Sequence, residues 1–461
     1  MDTRVKSKFS MDMCSGSIAK KMFRFAIPLM LSGVLQLLFN AADIIVVGNF
    51  AGDESLAAVG ATTSIINLLT TLFIGMSVGA NVLVANYIGA RLEKDLQNTV
   101  HTAMSLSLIS GIALTVIGVI GAPFILELMQ TPDDVIDLAV IYLRTYFMGM
   151  TAVMVYNFGS AILRAIGDTQ RPLIFLSIAG VINVVLNLVF VIVFHLDVFG
   201  VGLATVISQI VSAVLTTVCL MKENSAIKLN LKKLKIDKSK LLRILQIGLP
   251  AGFQGMLFSL ANVFIQSSVN SFGTTVIAGN SASANVEGFA FTSMNAFHQA
   301  AISFTSQNVG ARKEGRINRI LYTALAYSFV VGALFCVFYI CFGDKLIGLY
   351  TNSDDVIAAG VTRLTIIALS YVLAGMMDVV VGSLRGLGYS FVPMTVSIIG
   401  ICALRLVWLA TVFQIDVYHN IQTIYFTYPL SWIVTLTAHL ISFVIIRKKV
   451  GKKWAEERGE A

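Results

Sequence analysis

The sequence predicts an all-α membrane protein: twelve transmembrane helices in two six-helix lobes, related by pseudo-twofold symmetry along the membrane normal. Three observations lead there. The 461 residues are 56% hydrophobic and only 13% charged, with a mean hydropathy of +0.82. A soluble domain averages about 25% charged residues, so too few charges exist to cover a soluble surface. Apolar stretches of about 20 residues, enough to cross a bilayer, recur along the chain. Finally, the chain repeats itself at a fixed spacing.

The spans fall near 25–47, 56–80, 100–126, 138–162, 172–194 and 201–220, then near 247–272, 276–304, 321–342, 356–384, 394–413 and 421–446. Between the two sets lies KENSAIKLNLKKLKIDKSK, the only long polar interval. The expected organisation is an N-terminal segment 1–24, a first lobe 25–221, a basic linker 222–244, a second lobe 245–446 and a tail 447–461. The second and eighth spans are rich in small residues, including Gly75 and Gly79 in a small-xxx-small arrangement that reads as close helix packing. No small-residue cleavage site follows a short apolar region at the start, so no cleaved signal peptide is expected.

Lys and Arg set the orientation. Basic intervals hold Lys6, Lys8, Lys20, Lys21 and Arg24; Arg91 and Lys94; Arg164 and Arg171; the linker; Arg312 to Arg319; Arg385; and Arg447 to Lys453. The alternate intervals carry Asp53, Glu54, Asp133, Asp134, Asp197, Asp354, Asp355 and Asp416, with Lys345 as the main exception. Both termini and the linker are therefore expected in the cytoplasm of a multi-pass cell-membrane protein. Arg164 and Arg385, at span ends, are expected to reach headgroups or cap helix C-termini. The linker reads as a cytoplasmic tether, with an anionic-lipid contact as its functional alternative.

The repeat is read from matched motifs. IGAR at 88–91 is answered by VGAR at 309–312, and Asp133-Asp134-Val135-Ile136 by Asp354-Asp355-Val356-Ile357. Leu163, Arg164, Gly167 and Pro172 are answered by Leu384, Arg385, Gly388 and Pro393; every pair is 221 residues apart. Pro28 and Asn40 match Pro250 and Asn262 at 222. A repeat of six spans preserves orientation, which places the symmetry axis along the membrane normal.

Several function classes are excluded. The five cysteines are scattered, with no C-x-x-C, disulfide framework or metal-ligand spacing. The net charge of +8 sits in short loops and tails, where orientation explains it without nucleic acid. No GxGxxG, P-loop or H-E-x-x-H occurs. Neither a nucleotide nor an enzymatic cofactor is expected, and a membrane-embedded enzyme lacks clustered catalytic groups.

The polar residues inside the spans carry the functional reading. Asn40 and Asp43 lie one turn apart in the first span. At about 1.5 Å per residue, Asp43 stands some 10 Å before Phe50, in the outer half of the span. A carboxylate there costs about 2.5–3.5 kcal/mol on translocon scales and is a functional candidate by default. The alternative is an acid that merely marks the end of the span. Asn183 and Asn187 are one turn apart in the fifth span, and Thr205 lies in the sixth. If these helices meet, Asp43, Asn40, Asn183, Asn187 and Thr205 form one oxygen-rich cluster. Asp43, Asn183, Asn187 and Thr205 could then hold Na⁺, or Asp43 a proton. The second half replaces the two asparagines with Leu404 and Trp408. Its own candidates are Glu287 and Asp378, with Arg405 as a partner for either; substrate binding and a structural ion pair are the competing readings. His298, Gln299 and Gln307 add polarity to the eighth span, where a lone His is more often packed than a relay.

These residues resemble the multidrug and toxic compound extrusion (MATE) family. The resemblance rests on the two halves, A-D-x-x-x-x-G-x at Ala42 to Asn49, the G-A-R ends, L-R-A-x-G-D at Leu163 to Asp168 and S-L-R-G-L-G at Ser383 to Gly388. Val286 to Phe289 with Ser306-Gln307-Asn308, and Tyr428-Pro429 with Ser431-Trp432, extend it over almost the whole chain. The resemblance implies a prokaryotic drug–cation antiporter working by alternating access, closer to the DinF-like than the NorM-like branch. It implies no cofactor beyond a coupling ion, H⁺ in preference to Na⁺. Its substrates would be amphipathic, often cationic, organic compounds, handled by a monomer in the bilayer. The family's first-span acid matches Asp43, its fifth-span Asn matches Asn183 and its sixth-span Thr matches Thr205. Its fifth-span acid is replaced here by Asn187, and its seventh-span Glu is absent near Phe258. A lipid-linked oligosaccharide or lipid flippase of the same superfamily is the alternative.

Overall fold

A computed structural model of the chain describes residues 9–129 and 131–459. Lys6 and Lys8 of the basic N-terminal segment lie outside the described residues. The described chain is helical almost throughout, without strands. The first half holds α1 (Ile18–Phe50), α2 (Asp53–Ala90), α3 (Glu93–Leu128), α4 (Asp133–Met148), α5 (Met150–Ala165), α6 (Gln170–Leu188) and α7 (Asp197–Met221). The second holds α8 (Lys238–Asn270), α9 (Thr274–Gly310), α10 (Glu314–Gly348), α11 (Asp354–Gly386), α12 (Phe391–Ser397), α13 (Leu404–Ala410) and α14 (Ile421–Arg458). A π-helical turn, Val189–Val193, extends α6, and another, Ile398–Ala403, joins α12 to α13.

These helices make the twelve expected spans. Ten are long and apolar enough to cross a bilayer, with α12 and α13 counted as one. The predicted fourth span is the pair α4 and α5, bent by 43° at Gly149. The twelfth is α9, whose apolar run is broken by polar residues that point inward. Asn280, Ser283, Glu287, Ser293, His298 and Ser303 are all buried. A helix hidden inside protein does not need a lipid-like surface.

The packing separates two compact units. Unit 1 comprises the described residues up to Asp12 and Leu31–Gly252; unit 2 comprises Met13–Met30 and the chain from Phe253 onward. The change from one unit to the other does not fall at the basic linker. It falls inside two helices, just beyond Pro28 in α1 and just beyond Pro250 in α8. A proline inside a helix removes one N–H and crowds the carbonyl four residues back, so it is where a helix most readily changes direction.

In unit 1, α2, α3, α4, α5 and α7 pack around a core that includes Leu83, Val100, Leu143, Phe147 and Phe158. Here α8 reaches α2 at very short range. A Cβ on Gly75 would stand 2.3 Å from Gly252 Cα, and one on Gly79 would stand 2.1 Å from the Ile244 carbonyl oxygen. The small-xxx-small reading is borne out, and its partner is a second such pair, Gly248 and Gly252. In unit 2, α11 packs on α9 by the same device. A Cβ on Gly382 would meet the His298 carbonyl oxygen at 2.6 Å, and one on Gly386 would meet Thr305 Cβ at 2.6 Å.

The repeat is also written in the backbone. Left-handed φ angles occur at Gly52 and Gly273 (88° and 89°), Arg91 and Arg312 (57° and 52°), and Gly167 and Gly388 (90° each). All three pairs keep the sequence offset, so the two halves turn at equivalent corners.

The linker is seated rather than loose. Ile227 and Leu229 are fully buried. The Asn230 N–H donates to His101 Nε2 at 3.2 Å and the Asp237 N–H to Thr102 Oγ1 at 3.0 Å. Lys240 reaches Asp95 at 2.6 Å and the Tyr87 hydroxyl at 2.9 Å. Arg171 pairs with Asp168 and with Glu223 at the linker's start.

Candidate functional site

In unit 1 the site begins with a glycine. The Phe39 ring of α1 lies on Gly180 of α6 so closely that a Cβ there would sit 1.8 Å from the ring. The contact brings the next turn of α1 against the next two turns of α6, and Asp43 meets Asn187. Asn187 Nδ2 donates to the Asp43 carboxylate and, at 3.3 Å, to Asn183 Oδ1. Asn183 Nδ2 donates to Thr205 Oγ1 of α7 at 3.3 Å, and Thr205 donates to the Val201 carbonyl at 3.0 Å. The four side chains thus form one hydrogen-bond chain across three helices, with the Asp43 carboxylate accepting at one end and the Val201 carbonyl at the other. Asn183 and Asn187 are buried, and Asn187 Oδ1 has no hydrogen-bond partner. Asn40 does not join: it is exposed and makes no bond to the other four. One turn is the right spacing for it to share a face with Asp43, but α1 meets α6 through Phe39 and Asp43 instead. Tyr142 and Tyr146 of α4 interact electrostatically with Asp43 and were not singled out from the sequence.

Unit 2 is built differently. Glu287 of α9 is paired, but with Arg363 of α11 rather than with Arg405. Arg363 donates through Nε to Oε1 at 3.1 Å and through Nη2 to Oε2 at 3.0 Å. Ser283 adds a bond to Oε1 at 3.0 Å, and Arg363 Nη1 donates to Asn280 Oδ1 at 2.6 Å. The pair borders a cavity of about 270 Å³ whose other walls include Asn262, Gln266, Tyr371, Tyr428 and Trp432. Arg405 is buried, donates through Nε to Ser431 Oγ at 2.9 Å, and stacks on Tyr428 with Cζ 4.1 Å from the ring centre. Asp378 joins neither group. It lies fifteen residues beyond Arg363 on α11, about 22 Å at the helical rise. The nearby charge that acts on it is Arg385.

Two further residues differ from expectation or confirm it. Arg385 reaches no headgroup: it is buried and donates to Gln254 Oε1 at 2.9 Å. Gln254 Nε2 then donates to Ser397 Oγ at 3.1 Å, which contacts His439 Nε2 at 3.0 Å. No sequence signal announces this network, because Gln254, Ser397 and His439 are single polar residues in three separate spans. His298 is packed and bonded, its Nδ1 lying 2.6 Å from the Asp378 carbonyl oxygen.

Twelve helical spans among the described residues, with buried polar clusters set within otherwise apolar segments, are the arrangement of a polytopic membrane transporter. Comparison with known proteins makes the class specific. The MatE family model matches residues 28–189 and again 250–410, one match in each half. The chain belongs to the MatE family, a family of multidrug efflux transporters. It is 27% identical over 429 residues to the probable multidrug resistance protein YoeA of Bacillus subtilis, covering 91% of this chain and 92% of that one. It is 23% identical over 375 residues to the multidrug export protein MepA of Staphylococcus aureus, covering 80% and 82%. Among solved structures, an outward-facing multidrug resistance MATE family transporter of the MOP superfamily superposes with a TM-score of 0.89 at 22% identity, covering 97% and 99%. A MOP superfamily transporter from Pyrococcus furiosus gives 0.87 at 23% identity, covering 95% and 97%.

Proposed function

We propose that this chain is a proton-coupled antiporter that exports amphipathic organic compounds across the cell membrane, with both termini and the linker in the cytoplasm. The observation that carries the reading is the hydrogen-bond chain that runs outward from Asn187, to the Asp43 carboxylate on one side and through Asn183 and Thr205 to the Val201 carbonyl on the other. A carboxylate only accepts, whereas the protonated acid must also donate. In the chain as it stands, Asp43 receives an N–H from Asn187, whose own Oδ1 is unpaired. Protonation creates a donor that needs that oxygen, and a turn of the Asn187 amide supplies it. Asn183 then donates to Asn187, and Thr205 donates to Asn183 in place of the Val201 carbonyl. Loading one proton reverses the direction of every bond from α1 through α6 to α7. Coupling requires this property: two ion states that favour two arrangements.

Na⁺ fits the same residues less well. The group facing the carboxylate is an N–H, and one formal charge with neutral amides makes a weak field for a hard cation. The reading keeps the amphipathic character of the expected substrate and leaves its charge to the cavity of unit 2. A flippase for lipid-linked oligosaccharides is the second reading, and the buried Arg363, Arg385 and Arg405 favour it.

Purified protein in liposomes tests the proposal. Under an imposed pH gradient it should accumulate an amphipathic dye, and Asp43→Asn, a mimic of the protonated acid, should abolish accumulation while leaving the protein folded. Uphill transport by Asp43→Asn would refute the role of Asp43. Transport by the unmutated protein under a Na⁺ gradient at equal pH would refute the proton preference. Flipping of a lipid-linked pyrophosphate without dye transport would favour the flippase.

A further inference from the structure

We propose that the aromatic-walled cavity of unit 2 receives the anionic group of an amphipathic compound, with Arg405, stacked on the Tyr428 wall, supplying the attracting charge. This deepens the antiport reading by naming a substrate class, and its test needs no coupling at Asp43.

The charges around the cavity carry the argument. Glu287 (5% exposed) and Arg363 (7%) border the cavity, and Arg405 (4%) is buried beyond the lining, stacked on the Tyr428 ring of its wall. Glu287 is fully committed, with both oxygens bonded to Arg363 and one also to Ser283. It neutralises Arg363, so its charge is already answered before a cation arrives. Arg405 has no carboxylate partner. Its Nε is bonded to Ser431, and its two terminal nitrogens make no hydrogen bond. A buried guanidinium without an acid costs free energy that an arriving anion would relieve.

The aromatic faces point the same way. An organic cation would be held by stacking on Tyr428 or Trp432. Those rings already carry protein cations. Arg405 Cζ lies 4.1 Å from the Tyr428 centre and 5.7 Å from that of Trp432, and Arg363 Cζ lies 5.6 Å from Tyr428 and 5.7 Å from Tyr425. A further cation in the cavity would meet two guanidiniums across one ring. An anion meets the field of Arg405 through the Tyr428 wall, the amides of Asn262 and Gln266 as neutral donors, and Tyr371 with Trp432 as an apolar wall for its aromatic body. The surplus positive charge is not cancelled from elsewhere on α11, because Asp378 lies about 22 Å away along the helix.

Two dyes of one tricyclic scaffold and opposite charge, fluorescein and rhodamine 6G, test this by fluorescence anisotropy on the full-length protein in nanodiscs without any gradient. Fluorescein should bind more tightly than rhodamine 6G. Arg405→Gln, which keeps a donor for Ser431 but removes the charge, should weaken fluorescein at least tenfold and leave rhodamine 6G unchanged or tighter. Arg405→Lys should retain most of the fluorescein affinity. Tighter binding of rhodamine 6G that falls in Glu287→Gln would overturn the proposal. So would equal loss of fluorescein in Arg405→Gln and Arg405→Lys, or no binding of fluorescein at all. Loss of uphill transport in Asp43→Asn with fluorescein binding intact would leave this inference standing and bear only on coupling.

Discussion

Asp43 was legible in the sequence because an acid inside a 20-residue apolar run has no ordinary explanation. Asn183, Asn187 and Thr205 were legible by their spacing and by family resemblance, and the structure joins them to it. Arg363 was not. It follows Asp354 and Asp355 closely enough to read as part of the polar end of a span, yet it lies nine residues in, about 13 Å along the helix. That depth was the available signal. The Glu287–Arg363 pair gives a prediction at this scale. Arg363→Ala strands a buried carboxylate and should cost about 3–5 kcal/mol, while replacing both partners with apolar residues of similar volume, Glu287→Leu with Arg363→Met, should be near neutral. Thermal unfolding of the purified variants reads the difference. A double variant no more stable than the single one would mean that the pair contributes more than mutual neutralisation.

Among elements, lengths and order were readable from hydropathy, but packing partners were not. The glycines at 75 and 79 announced a close approach without naming α8, because Gly248 and Gly252 lie in a different half of the chain. The break at Gly149 was invisible for another reason: hydropathy is blind to direction, and both arms are equally apolar. The seating of the linker was hidden because its lysines dominate its composition while Ile227 and Leu229 do the docking. The α2–α8 contact yields a clear expectation. Gly75→Leu drives a side chain into the Gly252 backbone, and overpacking of this kind costs about 1–3 kcal/mol even where neighbours can yield. Here the neighbour is backbone, so the yield of monodisperse protein should collapse. A Cβ at Gly60 on the same helix meets nothing within 4 Å, so Gly60→Leu should be tolerated. Equal behaviour of the two variants would argue against the tight crossing.

At the scale of the whole molecule, the repeat survives in backbone corners and has been lost in polar chemistry. Three pairs of left-handed residues keep their offset, whereas the asparagines of α6 have become Leu404 and Trp408. The fold and the candidate site are therefore carried by different residues, and only the former is repeated. Orientation belongs to this scale too. In an otherwise cysteine-free protein, Lys235→Cys in the linker should resist an impermeant maleimide added to intact cells, and Val417→Cys between α13 and α14 should react. Both side chains are exposed, so access is set by the membrane alone. The reverse pattern would invert the topology.

The change of unit within α1 and α8 bears on how the chain is made. When six spans have left the ribosome, unit 1 still lacks the first half of α8, and the glycine face of α2 has nothing to close it. The stretch from Met13 to Met30 is made first, yet its packing partners in unit 2 are made last. Neither unit is finished by its own half of the gene. A protein cut at the linker would yield two fragments that each hold a piece of the other, so the halves of this duplicated chain can no longer be born, or inherited, apart.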